Sequence, residues 1–293
     1  MNSTHDTAII RHGWLRVLIF GISYFLVFLM AGEVYGWISQ WIRIPEQLFL
    51  LLSFVVSFAF SMLTVYVFRR GIDGRSLTSL GFEYKGYKPD VVMGLLLALV
   101  LLVAESLILY FTGYLKWTEF SFNGTDLLSG LIIMILVAIS EEAVFRGYIL
   151  HNLMQSMNRW IALAITSLLF ALLHAFNPNI TWLALLNIFL AGFVMGIVYV
   201  YTGNLWFAIA FHFSWNFFLG PILGYEVSGL PLESLLQQSI HGPDWLTGGE
   251  FGLEGSVLDG AFSVMAFGGM LLYVRRGKRR AVSFERRAAT YKP

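Results

Sequence analysis

Glu141 and Glu142 stand side by side in the stretch Ser140–Leu150, directly after the apolar run Leu127–Ile139. Arg146 follows, with more apolar residues around it. Ionisable groups against that much hydrocarbon are costly and need partners or a task. Glu142 and Arg146 are four residues apart, so on a helix they share a face and can pair. Glu141 is rotated by about 100° from Glu142 and gains no such local partner. One carboxylate is therefore neutralised, and the other points elsewhere.

Two further polar elements lie downstream. His174 ends the segment Phe170–His174, with Phe170 one turn before it and able to pack beside the imidazole. His212 and Asn216 project from one face of a later apolar run, again four residues apart. Each element alone has an ordinary structural explanation as an ion pair, an interfacial histidine or an interhelical hydrogen-bonded pair. A carboxylate, two imidazoles and an amide together form a set suited to hydrolysis. The carboxylate can take a proton from water, a histidine can hold that water, and His and Asn can donate to a developing oxyanion. Alternatively, Glu141, His174 and His212 could ligate a divalent metal such as zinc that carries an activated water. The zinc-protease pattern His-Glu-x-x-His is absent, so the metal reading has no dedicated signature. The chain has no cysteine and no Gly-x-Ser-x-Gly motif, which disfavours thiol and serine nucleophiles.

The elements that must hold these groups are membrane helices. Of the 293 residues, 57% are hydrophobic and 13% charged, and mean hydropathy is +0.71. Soluble domains carry roughly 25% charged residues. Apolar runs long enough to cross a bilayer predict eight helices: Trp14–Trp37, Leu48–Phe68, Val91–Gly113, Leu127–Leu153, Trp160–Ala175, Thr181–Tyr201, Leu205–Leu223 and Val257–Val274. The expectation is an all-α polytopic protein, one integral membrane domain over residues 1–293 with an intramembrane polar cavity. With the N-terminus in the cytoplasm, every Lys and Arg except Arg43 and Lys116 falls on the inner side, including the basic tail 275–293. The positive-inside rule thus predicts a multi-pass cell-membrane protein with both termini cytoplasmic. The lipid bilayer is its first partner, and nothing points to nucleic acid.

The external loop 224–256 carries no Lys or Arg. Leu232, Leu235, Leu236 and Ile240 recur there at helical spacing, which predicts a short surface helix. Glu33 and Glu105 are lone membrane carboxylates, read as protonated or paired with a hydroxyl or amide. Asn187 reads as an interhelical hydrogen-bonding residue. One geometric difficulty stands. Counting about 1.5 Å per residue, His174 and Glu141 differ by about 10 Å in depth, unless the fourth helix has Glu141 near its middle.

The motifs Glu141-Glu142-x-x-x-Arg146, Phe170-x-x-x-His174 and His212-x-x-x-Asn216, in this order, closely resemble the CPBP family. These are the type II CAAX prenyl endopeptidases and their relatives in bacteriocin processing and immunity. The resemblance spans roughly residues 127–219, the expected catalytic core. It implies an intramembrane endopeptidase acting on membrane-associated peptides or proteins, with eight helices and a cavity open to the cytoplasm. Glu141 would activate water with His174, while His212 and Asn216 would form the oxyanion site. Glu142, Arg146 and Phe170 would give structural support. Both a metal-dependent and a metal-free glutamate mechanism are compatible with the family. The alternative is a non-catalytic membrane immunity or scaffold protein of the same fold, or a transporter using Glu33, Glu105 and Glu141 as a proton path.

Overall fold

A computed structural model describes residues 8–41, 46–230 and 232–276. The basic tail beyond 276 and Arg43 lie outside the described residues. Among the described residues, eight long helices organise the fold. They are α1 (Gly13–Trp41), α2 (Glu46–Val67), α3 (Lys88–Phe111), α4 (Gly124–Glu142), α5 (Arg159–Leu173), α6 (Trp182–Thr202), α7 (Trp206–Phe217) and α8 (Val257–Arg276). Helix α4 continues without a break as a π-helical stretch, Ala143–Leu150, and a last turn, His151–Leu153. Helix α7 continues as a π-helical turn, Phe218–Ile222, which holds Pro221. Side chains fix several helix starts. Asn123, Asn158 and Thr181 each accept a hydrogen bond from a first-turn backbone N–H of α4, α5 and α6.

Seven of these segments are long and apolar enough to cross a membrane. The eighth expected span is α7 with its π-helical turn. Its run from Trp206 to Ile222 covers about 25 Å, at the short end of what crosses the hydrocarbon. Its surroundings differ from those of the outer helices. Phe207, Ala208, Phe211, His212, Trp215 and Asn216 are all buried, so α7 packs inside the bundle and meets protein where the outer helices meet lipid. Outer helices instead expose Leu63, Leu96, Val100, Ile161, Leu168 and Val264, a surface suited to hydrocarbon.

Small residues allow the inner helices to approach closely. A Cβ added at Gly94 of α3 would meet Phe207 O of α7 at 2.5 Å, and one at Gly192 of α6 would meet Ser167 Cβ of α5 at 2.7 Å.

The loop expectation is corrected. Residues Leu236–Ile240 form strand β2, which pairs antiparallel with β1 (Leu115–Phe120) from Leu115↔Ile240 to Phe120↔Leu236. Leu236, Gln238 and Ile240 also alternate, and the fully buried Leu115 supplies an apolar anchor across the pair. A strand needs its partner, and that partner lies more than a hundred residues earlier.

Candidate active site

Helix α4 is the reason the depth difficulty disappears. It starts at Gly124 and its continuation ends at Leu153, which puts Glu141 near the middle. Glu141 lies about 18 Å back from Leu153, and His174 about 22 Å from Arg159 at the adjoining start of α5, at nearly the same depth. The π-helical stretch begins directly after Glu142. Such widened turns are frequent at functional sites because they re-aim side chains.

Glu142 is fully buried, and its Oε1 accepts two hydrogen bonds. Arg146 Nη1 donates at 2.7 Å and His212 Nδ1–H donates at 3.0 Å. The Glu142–Arg146 pair is thus the one expected from spacing. The bond to His212 was not foreseen, because it joins residues 70 apart in sequence. It gives Glu142 a second task, holding the imidazole of α7 in one orientation. Arg146 also donates to Gly192 O at 3.4 Å, and its guanidinium lies 4.5 Å from the centre of the Phe170 ring.

Phe170 is the hub. Its ring centre stands 4.7 Å from that of His174, 6.2 Å from that of His212 and 5.1 Å from that of Phe145. His174 donates Nδ1–H to Phe170 O at 2.8 Å. Each histidine therefore has Nδ1 occupied and Nε2 left for chemistry. His212 Nε2 lies 3.9 Å from Glu141 Oε2, outside direct hydrogen-bond reach. The Glu141 side chain keeps 25% of its surface exposed, whereas Glu142 keeps none.

Glu141, His174, His212 and Asn216 line one cavity of about 1480 Å³. Its walls are mostly apolar and come from all eight of these helices, with residues such as Phe25, Leu29, Phe54 and Leu173. Among the described residues, no Lys or Arg lines it. The cavity also reaches Val227, Ser228, Leu230, Leu232 and Glu254 of the loop 224–256. It reaches Trp14, Val17 and Leu18 at the start of α1 as well. Sequence reasoning missed several further wall residues. Tyr24 and Ser61, hydrogen-bonded at 2.9 Å, bring hydroxyls from α1 and α2. Trp215 Nε1–H and Ser228 hold the Glu254 carboxylate. Only Trp215 carried a sequence signal, since it stands between His212 and Asn216.

Among the described residues, no three His, Asp or Glu side chains converge as a group able to hold a metal ion. Glu141, His174 and His212 share the cavity without being drawn together as such a group. His212 Nδ1 is committed to Glu142, an arrangement equally usual behind a metal-binding histidine, and its Nε2 lies 3.9 Å from Glu141 Oε2.

Compared with curated proteins and with solved structures, the chain has no significant match in either. Compared with protein families, residues 123–218 match the type II CAAX prenyl endopeptidase Rce1-like family. That segment starts at the cap of α4, ends in α7 and contains all four cavity groups as well as Glu142, Arg146 and Phe170. Over that segment, which is less than half of the chain, the sequence is similar to the Rce1-like type II CAAX prenyl endopeptidases.

Proposed function

We propose that the chain is an intramembrane endopeptidase in which Glu141 activates water against a peptide bond held in the cavity. The observation that carries this reading is the convergence of Glu141, His174, His212 and Asn216 on one cavity while Glu142 is consumed by Arg146 and His212. With Nδ1–H given to Phe170 O, neutral His174 offers the Nε2 lone pair, which can hold a water by accepting one of its protons. Glu141 takes a proton from that water as its oxygen attacks the scissile carbonyl. The tetrahedral oxyanion receives a hydrogen bond from Asn216. His212 donates to it through Nε2 when doubly protonated, a state in which the cation lies between Glu142 and Glu141. The C–N bond then breaks, and the proton on Glu141 passes to the leaving amine. The mostly apolar walls suit a membrane-associated peptide and exclude competing water. No step requires a metal.

The test is quantitative proteomics of membrane peptides from cells carrying the wild-type protein or Glu141→Ala. Cleavage products present with the first and absent with the second, at equal protein levels, are expected. Identical peptide profiles would overturn the assignment of Glu141. They would favour instead a binding role that survives the substitution.

A further inference from the structure

A second group of carboxylates lines the same cavity away from the α4 motif. Glu105 of α3, Asp259 of α8 and Glu254 of the loop all reach it, together with Asn187 of α6. Glu105 is fully buried, and neither of its carboxylate oxygens has a hydrogen-bond partner. Of the two readings the sequence allowed, protonation or a hydroxyl or amide partner, the second is not met. The hydroxyl of the adjacent Ser106 is engaged by Tyr225 at 3.0 Å. Asn187 spends its Nδ2 donors on Glu254 O at 2.8 Å and Ser256 O at 2.7 Å, while its Oδ1 has no donor. Glu254 differs, being satisfied by Trp215 Nε1–H at 3.1 Å and by the Ser228 N–H at 2.6 Å and hydroxyl at 3.1 Å. Asp259 is buried, and it and Glu254 are close enough to Glu105 to interact electrostatically.

The shortfall is therefore one-sided. Every orphaned atom on Glu105 and Asn187 is an acceptor, and among the described residues no Lys or Arg lines the cavity to supply donors. Buried polar groups are almost always satisfied, and a buried carboxylate is costly without a cation or donor. Among the described residues, no group here is arranged for a metal ion. A ligand with several N–H donors and a positive charge answers both deficits, and charge-assisted bonds of this kind are the strong ones.

We propose that Glu105, Asp259 and Asn187 Oδ1 form a subsite for the ammonium or guanidinium of a Lys or Arg side chain on the substrate peptide. This rests on reading the chain as a peptidase, and it makes substrate choice depend on one cationic residue set at a fixed offset from the cleaved bond. Glu254, already tied to Trp215 beside His212 and Asn216, links this subsite to the helix that carries half of the proposed hydrolytic groups.

Binding can be measured without turnover in the Glu141→Gln background. Detergent-solubilised protein would be titrated with fluorescent Leu/Ala decapeptides carrying a single Lys, Arg or norleucine at each position in turn. At one position the cationic peptide is expected to bind about tenfold more tightly than its norleucine counterpart. That ratio should fall to about one when Glu105→Gln or Asp259→Asn is added. Equal affinities at every position, or a preference that survives both substitutions, would overturn the subsite. Should a double variant fail to fold, the comparison of Lys with norleucine on Glu141→Gln alone still decides, because no preference there contradicts the proposal. Cleavage by the wild-type protein without cation preference would remove the subsite and leave the peptidase reading. Selective binding with no cleavage of any peptide would remove the peptidase reading and leave a cation-selective binding cavity.

Discussion

The bundle buries two arginine–carboxylate networks, and they are finished to different degrees. One joins α1, the end of α2 and the end of the α4 continuation. Asp73 accepts from Arg69 at 2.8 Å, with Arg16 at 3.6 Å and the Tyr148 hydroxyl at 3.5 Å. Arg16 also donates to Asn152 and Gln155, both at 3.1 Å, and Arg69 to the Ser79 hydroxyl at 2.8 Å. Among the described residues, no side-chain atom of that network is buried without a partner. The other network is Glu142, Arg146 and His212 with Glu141 beside them, and it leaves Glu142 Oε2 and Glu141 Oε2 unpartnered. A completed network locks helices together. An incomplete one, opening on a cavity, holds capacity for a water and a substrate.

Substitutions can break or sharpen that contrast. The largest effect on stability is expected from Arg146→Met, which leaves Glu142 buried with its charge uncompensated and costs about 3–5 kcal/mol. Chemical unfolding in detergent checks it. Adding Glu142→Gln to that variant should return part of the loss, because no charge is then stranded, whereas activity should stay low since His212 has lost its carboxylate. Asp73→Asn comes next, at about 1.5–3 kcal/mol for weakened charged hydrogen bonds. Protein that remains folded at low temperature should cleave at the wild-type rate, as Asp73 touches nothing in the cavity. Loss of activity in well-folded Asp73→Asn would erase the distinction between the networks. The smallest effect is expected from chelation. Treating the pure protein with a strong chelator should leave cleavage unchanged, given the absence of a three-ligand group among the described residues. A rate that falls and is restored by zinc would show that Glu141 and the histidines rearrange around a metal.

What the sequence made legible follows from the range of each interaction. Glu142–Arg146, Phe170–His174 and His212–Asn216 are within one helical turn, and two apolar flanks on each run marked them as inward-facing. The membrane helices were readable for the same reason, as composition averaged over a long window. Contacts between distant segments were not. Nothing local to Glu142 announced His212, and nothing in the polar connector after α2 indicated that Asp73 would be buried against Arg16. The pairing of β1 with β2 and the seating of Glu254 against Trp215 likewise depend on which surfaces the bundle brings together. The burial of α7 among the other helices was not legible, because a helix surrounded by protein is as apolar as one surrounded by lipid.

The central claim is that Glu141 is chemically required and structurally dispensable, the reverse of Asp73. Measuring unfolding and peptide cleavage on the same preparation of Glu141→Gln tests it most directly. The account predicts a stability within about 0.5 kcal/mol of wild type and a cleavage rate lower by a factor on the order of 10²–10⁴. Full cleavage by a folded Glu141→Gln protein would contradict it, and so would a loss of activity that simply tracks a loss of folded protein.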